Sequence, residues 1–330
     1  MAGSTAEPGV LATARYGKDK VRVFRVVRDP ESKVHNVVEY NVTVLLEGAI
    51  ETSYTQANNA VVVATDSMKN ITNYLAKVSP YVLDPARFAL HLGSHLLARY
   101  AHVSATFVTV EQLRWARIND SSSSASGPEA GHRHAFWRDG AEKRFVEVEV
   151  ARKGDGGGAV ARVAGGLRDL LVLKSTGSAF ENFVRDEYTT LPEVNDRIFS
   201  TSVDLRYTYG QVNVELPSDE KLLVFGVGNL NGGVHPWEDA KVGVRSREIT
   251  LDVFAQDESA SVQATLYKMA QRVLAENAGV ETVRYVLPNK HYIPVDMKYI
   301  GVDNTTPQRA EVFTPVDAPS GLISATISRR

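Results

Sequence analysis

Asn289 and His291 stand two residues apart in the run Val286-Leu287-Pro288-Asn289-Lys290-His291-Tyr292-Ile293-Pro294. In extended backbone, residues i and i+2 face the same side. The spacing therefore predicts an amide and an imidazole pointing together, at the end of a strand that Pro288 stops and before another begins. The bland alternative is a polar edge strand with two solvated side chains. Other strings carry less. His91 and His95 lie four apart on a predicted helix, but Leu92 follows His91, so the His-Glu-x-x-His zinc motif is absent. Gly154-Asp155-Gly156-Gly157-Gly158-Ala159 spells a dinucleotide-binding string between two predicted strands with no helix after it, and reads better as a hairpin turn. Lys174-Ser175 lacks the glycine a phosphate loop needs before its lysine. His132 and His134 flank a serine-rich stretch and read as solvated.

The elements that must position such residues follow from periodicity. Residues 1–13 show none and read as an N-terminal arm. Alternation over Lys20–Val27 and Asn36–Glu47 predicts a strand pair. Ala60–Ala64 reads as a short strand, with Thr65-Asp66-Ser67 capping a helix through Met68, Ile71 and Leu75. Asp84 as N-cap and Pro85 at the first helical position start a second helix, with Phe88, Leu92, Leu96 and Tyr100 on its buried face. Val103–Ile118 and Phe145–Val150 read as strands around a serine-rich loop at 119–131. Ala159–Val163 pairs back after the glycine turn. Glu193–Ser200 is extended or a short helical end, and Ser202–Val214 alternates again. A helix from Ser261 to Asn277 buries Val262, Leu266, Met269, Val273 and Leu274, and strands Thr282–Leu287 and Tyr292–Met297 close the chain. Each half thus gives strands, a helical stretch, then strands, an α+β pattern of antiparallel sheet with helices on one face.

At 330 residues there is ample length for a sizeable core. A net charge of −2 and pI near 6.5 argue against nucleic-acid binding through a broad basic field. The absence of Cys excludes disulfides, thiolate nucleophiles and Cys-ligated zinc, and fits an intracellular protein. No apolar run is long enough for a membrane span and no secretory leader is seen, which predicts a soluble protein.

Several motifs, in order, resemble the urate oxidase (uricase) family. They are Arg15-Tyr16-Gly17-Lys18-Asp19, Val62-Val63-Ala64-Thr65-Asp66-Ser67-Met68-Lys69-Asn70, Leu173-Lys174-Ser175-Thr176-Gly177-Ser178, Phe183 through Leu191, Asp196-Arg197-Ile198, Ser261-Val262-Gln263-Ala264-Thr265 and Leu287 through Tyr292. The resemblance implies two tandem tunnelling-fold (T-fold) domains, 14–152 and 153–330, with an insertion about 218–243. Their sheets would close into a barrel only on assembly as a homotetramer. It implies oxidation of urate by O₂ and water to 5-hydroxyisourate and H₂O₂, with no metal, flavin or other cofactor.

Carried over residue by residue, the resemblance makes Lys18, Thr65 and His291 the catalytic proton relay. Thr65, Asp66, Phe180, Arg197, Val262, Gln263 and Asn289 become the substrate-binding set. Arg197 would grip a urate carbonyl and ring nitrogen with its fork, Gln263 would read another edge, and the Phe180 ring would stack on the purine face. Asn289 would hold O₂ or water above the ring. Without the resemblance, Arg197 reads as a surface cation paired with Asp196 or Glu193. Lys18 and Thr65 would come from one subunit, and Arg197, Phe180 and Gln263 from its neighbour. Family members of animals and fungi suggest a peroxisomal location, although the tail Ser328-Arg329-Arg330 fits a peroxisomal signal at only two positions, and the alternative is cytoplasmic. The competing function is a non-catalytic purine-binding or scaffold protein on the same fold.

Overall fold

The computed structural model describes residues 8–119, 131–154, 158–228 and 241–330. The chain divides into two compact units. The first comprises the described parts of Met1–Asp139, Phe145–Val163 and Gln211–Trp237; the second comprises Gly140–Arg144, Ala164–Gly210 and the described part of Glu238–Arg330.

In the first unit, β1 (Tyr16–Arg28) pairs antiparallel with β2 (His35–Gly48), which pairs antiparallel with β3 (Val103–Asn119). A short helix, α1 (Glu51–Thr55), follows β2, and α2 (Thr65–Val78) and α3 (Pro85–Arg99) pack on this sheet. The reason is a period-two stripe: Tyr40, Val42, Val44 and Leu46 of β2 are wholly buried. They meet a helical stripe containing Met68 and Leu75 of α2 and Phe88, Leu92 and Leu96 of α3, all equally buried. Tyr40 stacks on Phe88 with centroids 5.8 Å apart, and its hydroxyl donates to the Val82 carbonyl at 2.7 Å. The start of α3 is as the sequence predicts: the Asp84 side chain accepts from the Ala86 and Arg87 amides, with Pro85 next.

The second unit is built on an antiparallel ladder. Its strands are residues from Ala164 onward of β5 (Ala159–Lys174), then β6 (Phe199–Tyr209), β9 (Val280–Pro294), and the short β10 (Phe313–Val316) and β11 (Leu322–Ser328), both paired to β9. Helices α4 (Val242–Gln256) and α5 (Val262–Glu276) bury their apolar faces with Val203, Leu205 and Tyr207 of β6 and Val283, Tyr285 and Leu287 of β9. Gly165 is demanded by the core, because a Cβ there would sit 2.6 Å from the Tyr207 hydroxyl. Each unit is therefore α+β, an antiparallel sheet covered by helices. The remaining strands are β4 (Gly131–Arg152) and, in the first unit, β7 (Val212–Glu215) and β8 (Gly226–Val227).

The structure corrects four local expectations. Residues 60–64 are not a strand; Asn59–Val61 form a 3₁₀ turn, with the Asn58 side chain accepting from the Ala60 amide. That local bond outcompetes a ladder for a run this short. Thr65, Asp66 and Ser67 do not cap α2 with their side chains; the cap position is Ala64. The two closing strands are one, β9, which passes through Pro288. Its register with β6 is the same on either side of the proline, Thr201 opposite Asn289 and Asp204 opposite Val286. At Pro288 the other edge changes partner, from β11 ending at Leu322 to β10 starting at Val316. A missing amide is tolerated at such a break. Helix α4 was not expected at all. Most of the 119–131 loop, the middle of the 154–158 turn, residues 229–240 of the insertion and residues 1–7 of the arm lie outside the described residues.

Candidate active site

The predicted site residues fall into two groups, one in each unit. In the first, Lys18 sits on β1 where the ladder to β2 slips: Lys18 faces Val44, and the next register pair is Val21 with Val42. Asp19 and Lys20 stand against the single residue Thr43, a one-residue bulge, with Lys20 in the left-handed region at φ 53°. Gly17 makes the approach possible, since a Cβ there would lie 1.8 Å from the Val44 carbonyl oxygen. Asp19 is held by the Thr43 hydroxyl at 2.5 Å. Two residues before Lys18, the Tyr16 hydroxyl accepts from the Val63 amide at 2.6 Å and so ties β1 to the segment entering α2. Burial, partly offset by that bond, raises the Tyr16 phenol above its ordinary range. Tyr16 was legible only as a member of the Arg15–Asp19 motif.

Thr65 and Asp66 are the first residues of α2, with no side chain capping the amides there. The first turn of a helix presents unpaired N–H groups and partial positive charge. The Asp66 carboxylate turns along the helix to accept from Lys69 at 2.6 Å and from Asn70 at 2.9 Å. The Lys69 hydrogen bond and charge, followed by smaller contributions that include Lys18, hold it below the usual carboxylate range. The structure thus places the Lys18 ammonium within electrostatic reach of the α2 N-terminus.

In the second unit, Arg197 and Phe180 come together although they are 17 positions apart in sequence: the Arg197 guanidinium lies over the Phe180 ring at 5.1 Å. Their backbones are joined by a strap. Phe180 and Val194 exchange amide hydrogen bonds of 2.8 and 3.1 Å, and the Arg197 amide donates to the Ser178 carbonyl at 2.8 Å. Phe183 stacks on Phe180 at 4.7 Å with planes 12° apart. Burial pulls the Arg197 guanidinium below its ordinary range. The ion pairs offered as its bland explanation are not made. Asp196 accepts from the Thr176 hydroxyl at 2.6 Å and the Gly177 amide at 2.8 Å, while Glu193 accepts from the Asn182 amide at 3.1 Å. Among the described residues, no carboxylate pairs with Arg197. A half-buried cation above an aromatic ring, with its hydrogen-bonding fork unengaged by the described residues, is arranged for a planar anion.

Val262 and Gln263 open α5, whose N-cap Ser261 accepts from the Ala264 amide. Val262 is buried and Gln263 exposed, so the amide is available to a ligand. Asn289 and His291 are both half-buried on β9, Asn289 opposite Thr201 of β6 and His291 opposite Val316 of β10. They share one side of a strand, as their spacing predicts, and Lys290 between them pairs with Asp317 at 2.9 Å.

A family model for uricase matches residues 14–149 and 163–324. The chain belongs to the uricase family. It is 42% identical over 320 residues to the uricase of Emericella nidulans, covering 97% of each chain. It is 43% identical over 319 residues to the uricase of Aspergillus flavus, again covering 97% of both. The crystal structure of uricase from Arthrobacter globiformis superposes with a TM-score of 0.77 at 33% identity, covering 98% of this chain and 96% of that one. Every predicted site residue lies inside the two stretches matched by the uricase model, and the Gly154–Gly158 string lies between them.

His91 and His95 prove structural. His91 Nε2 and His95 Nδ1 each lie 3.1 Å from the Leu222 carbonyl oxygen, and Ser79 meets His91 Nδ1 at 2.9 Å. Both rings are buried, which pulls their pKa values below the ordinary imidazole value.

Proposed function

We propose that this chain is a urate oxidase that converts urate, O₂ and water to 5-hydroxyisourate and H₂O₂. The observation that carries the reading is the half-buried Arg197 over the Phe180 ring with no acid among the described residues to neutralise it, in a member of the uricase family. Urate is a flat anion with carbonyl and N–H edges. Arg197 would bind it through two charge-assisted hydrogen bonds, Phe180 would stack on its face, and Gln263 would fix a second edge. Val262 would close the apolar side, and the free amides at Thr65 and Asp66 would meet the opposite purine edge.

The chemistry balances without a further reductant. Urate gives two electrons to O₂, which leaves as H₂O₂ after taking two protons, and water supplies the new oxygen at C5. In this reading Lys18, Thr65 and His291 accept and relay the protons of urate and water, and Asn289 holds O₂ or water over the ring. Cofactor independence belongs to the same proposal, because an electron-rich urate anion can reduce O₂ directly.

The proposed assembly is a homotetramer. Lys18, Thr65 and Asp66 of one subunit would face Arg197, Phe180 and Gln263 of a neighbour, so an isolated monomer would be inactive. The tandem division at 14–152 and 153–330 belongs to the same proposal; the two stretches the family model matches part near that point, although the described part of Gln211–Trp237 packs with the first unit. A peroxisomal location is proposed on family resemblance alone.

The test is a urate assay in air on metal-stripped protein, following loss of urate absorbance together with peroxide. Stoichiometric peroxide without added cofactor is the expected result. Tight urate binding with no peroxide would replace this reading with the purine-binding scaffold.

A further inference from the structure

The strap that carries Phe180 and Arg197 is itself held from one side by a buried relay of side chains. Thr265, in the first turn of α5 with Val262 and Gln263, is wholly buried, and Ser259 nearly so. The Thr265 hydroxyl lies 2.7 Å from Asp257 Oδ2 and 2.8 Å from Ser259 Oγ. It has one proton, and a carboxylate can only accept. Thr265 therefore donates to Asp257, and Ser259 donates to Thr265.

Ser259 then passes the constraint to the strap through its backbone. Its amide donates to the Gly177 carbonyl at 3.0 Å, and its carbonyl accepts from the Ala179 amide at 2.9 Å. Gly177 adopts φ +74°, the left-handed turn that starts the strap. From Ala179 the chain runs directly into Phe180, and Ser178 receives the Arg197 amide. Asp257 is further gripped by the Lys268 ammonium, and its own carbonyl accepts from Lys174. Burial opposes the Asp257 charge, but hydrogen bonds from Lys268 and Thr265, with the Lys174 charge, keep its pKa below the usual carboxylate range.

We infer that Asp257, acting through Thr265 and Ser259, is a positioning residue that sets the Phe180–Arg197 pair against the Gln263-bearing turn of α5. None of the three need touch substrate. The inference rests on the urate reading of that pair, and it assigns the relay to binding geometry rather than to proton transfer.

The experiment compares Thr265→Val, which keeps the shape and removes the hydroxyl, with Thr265→Ser, which keeps the hydroxyl. Each is assayed for KM and kcat with urate, for affinity toward xanthine as an unreactive flat purine, and for melting temperature. The expected result is a rise of about tenfold in KM and in the xanthine Kd for Thr265→Val, with kcat within about threefold. Thr265→Ser should return both constants to within about twofold of the parent. Should Thr265→Val not fold, Ser259→Ala breaks the same link at a smaller residue and is expected to raise KM in the same way. Unchanged KM in the hydroxyl-less variants would overturn the inference. So would equal impairment of Thr265→Ser and Thr265→Val, because packing rather than the hydroxyl would then be at work. Failure of the underlying reading is seen separately, as a parent enzyme that does not oxidise urate. The xanthine affinities then decide the relay's role, and a parent that binds neither purine overturns both.

Discussion

Arg197 is the residue on which the proposed activity can be tested most sharply, because its two roles pull in opposite directions. In the free protein it is a half-buried guanidinium that no described carboxylate neutralises, held over the Phe180 ring at 5.1 Å. Burial of an unpaired charge costs stability. Arg197→Ala should therefore leave the melting temperature unchanged or raise it, unlike loss of a structural ion pair. With urate bound, the fork would make two charge-assisted hydrogen bonds of about 1.5–3 kcal/mol each. Solvent still reaches the group, so the low end applies, about 3 kcal/mol in all. At about 1.4 kcal/mol per decade this is a loss of about 100-fold in affinity. Arg197→Lys keeps the charge but not the fork, and should lose about tenfold. The assay is calorimetric titration of urate under nitrogen, where O₂ is absent and binding is read without turnover. Unchanged affinity in Arg197→Ala would refute the site. A melting temperature lowered by several degrees with affinity intact would show instead that Arg197 serves the fold.

Three further outcomes follow from the same geometry. Lys18→Ala should bind urate anaerobically within about threefold of the parent yet lose about 100-fold or more in kcat, as removal of an acid–base group does; normal turnover would remove Lys18 from the relay. Tyr285→Phe deletes a buried hydroxyl bonded to Thr250 Oγ1 at 2.7 Å, while Thr250 keeps its bond to the Ser246 carbonyl, also at 2.7 Å. It should cost about 1 kcal/mol in chemical denaturation without altering KM, and a KM change would tie that core to the site. The third concerns pH. Burial pulls the pKa values of His91 and His95 below the ordinary imidazole value in the folded protein. The unfolded chain therefore binds more protons once pH drops below about 6.5. Their contribution is complete above that pH and is lost as pH falls toward the folded values. The melting temperature should decline between pH 7 and 5, and His91→Gln/His95→Gln should decline less steeply; parallel curves would exclude these two residues as the cause.

What could be read from the sequence follows from which interactions are local. The strands β1 and β2 and the helices α3 and α5 announce themselves because each carries a run of apolar residues at the period its backbone dictates. Helix α4 obeys the same geometry, but its buried stripe runs Val242, Ser246, Ile249, Thr250 and Phe254. Two of those five positions are hydroxyls. The fold satisfies Thr250 with Tyr285, a partner 35 residues away, and composition alone cannot display such a bond. Pro288 misleads for a related reason. A missing amide predicts a strand end, whereas here it coincides with a change of partner from β11 to β10 along a strand that continues.

The site divides along the same line. That Asn289 and His291 share one side of a strand was legible from physics, since a two-residue step in extended backbone is a local rule. Arg197 and Phe180 were legible only through their motifs. Their meeting depends on a strap of amide bonds from 177 to 197, containing little regular structure and no periodicity. Of the relay of Asp257, Ser259 and Thr265, only Thr265 lies in a family motif, Ser261–Thr265, and its type and spacing there do not display its function. Two polar residues between two helices, with a third in the first turn of α5, look like a loop and a cap. Only the burial of Thr265, and the single proton it must commit to Asp257 while Ser259 donates to it, turns them into a device that fixes where a guanidinium and a ring must stand.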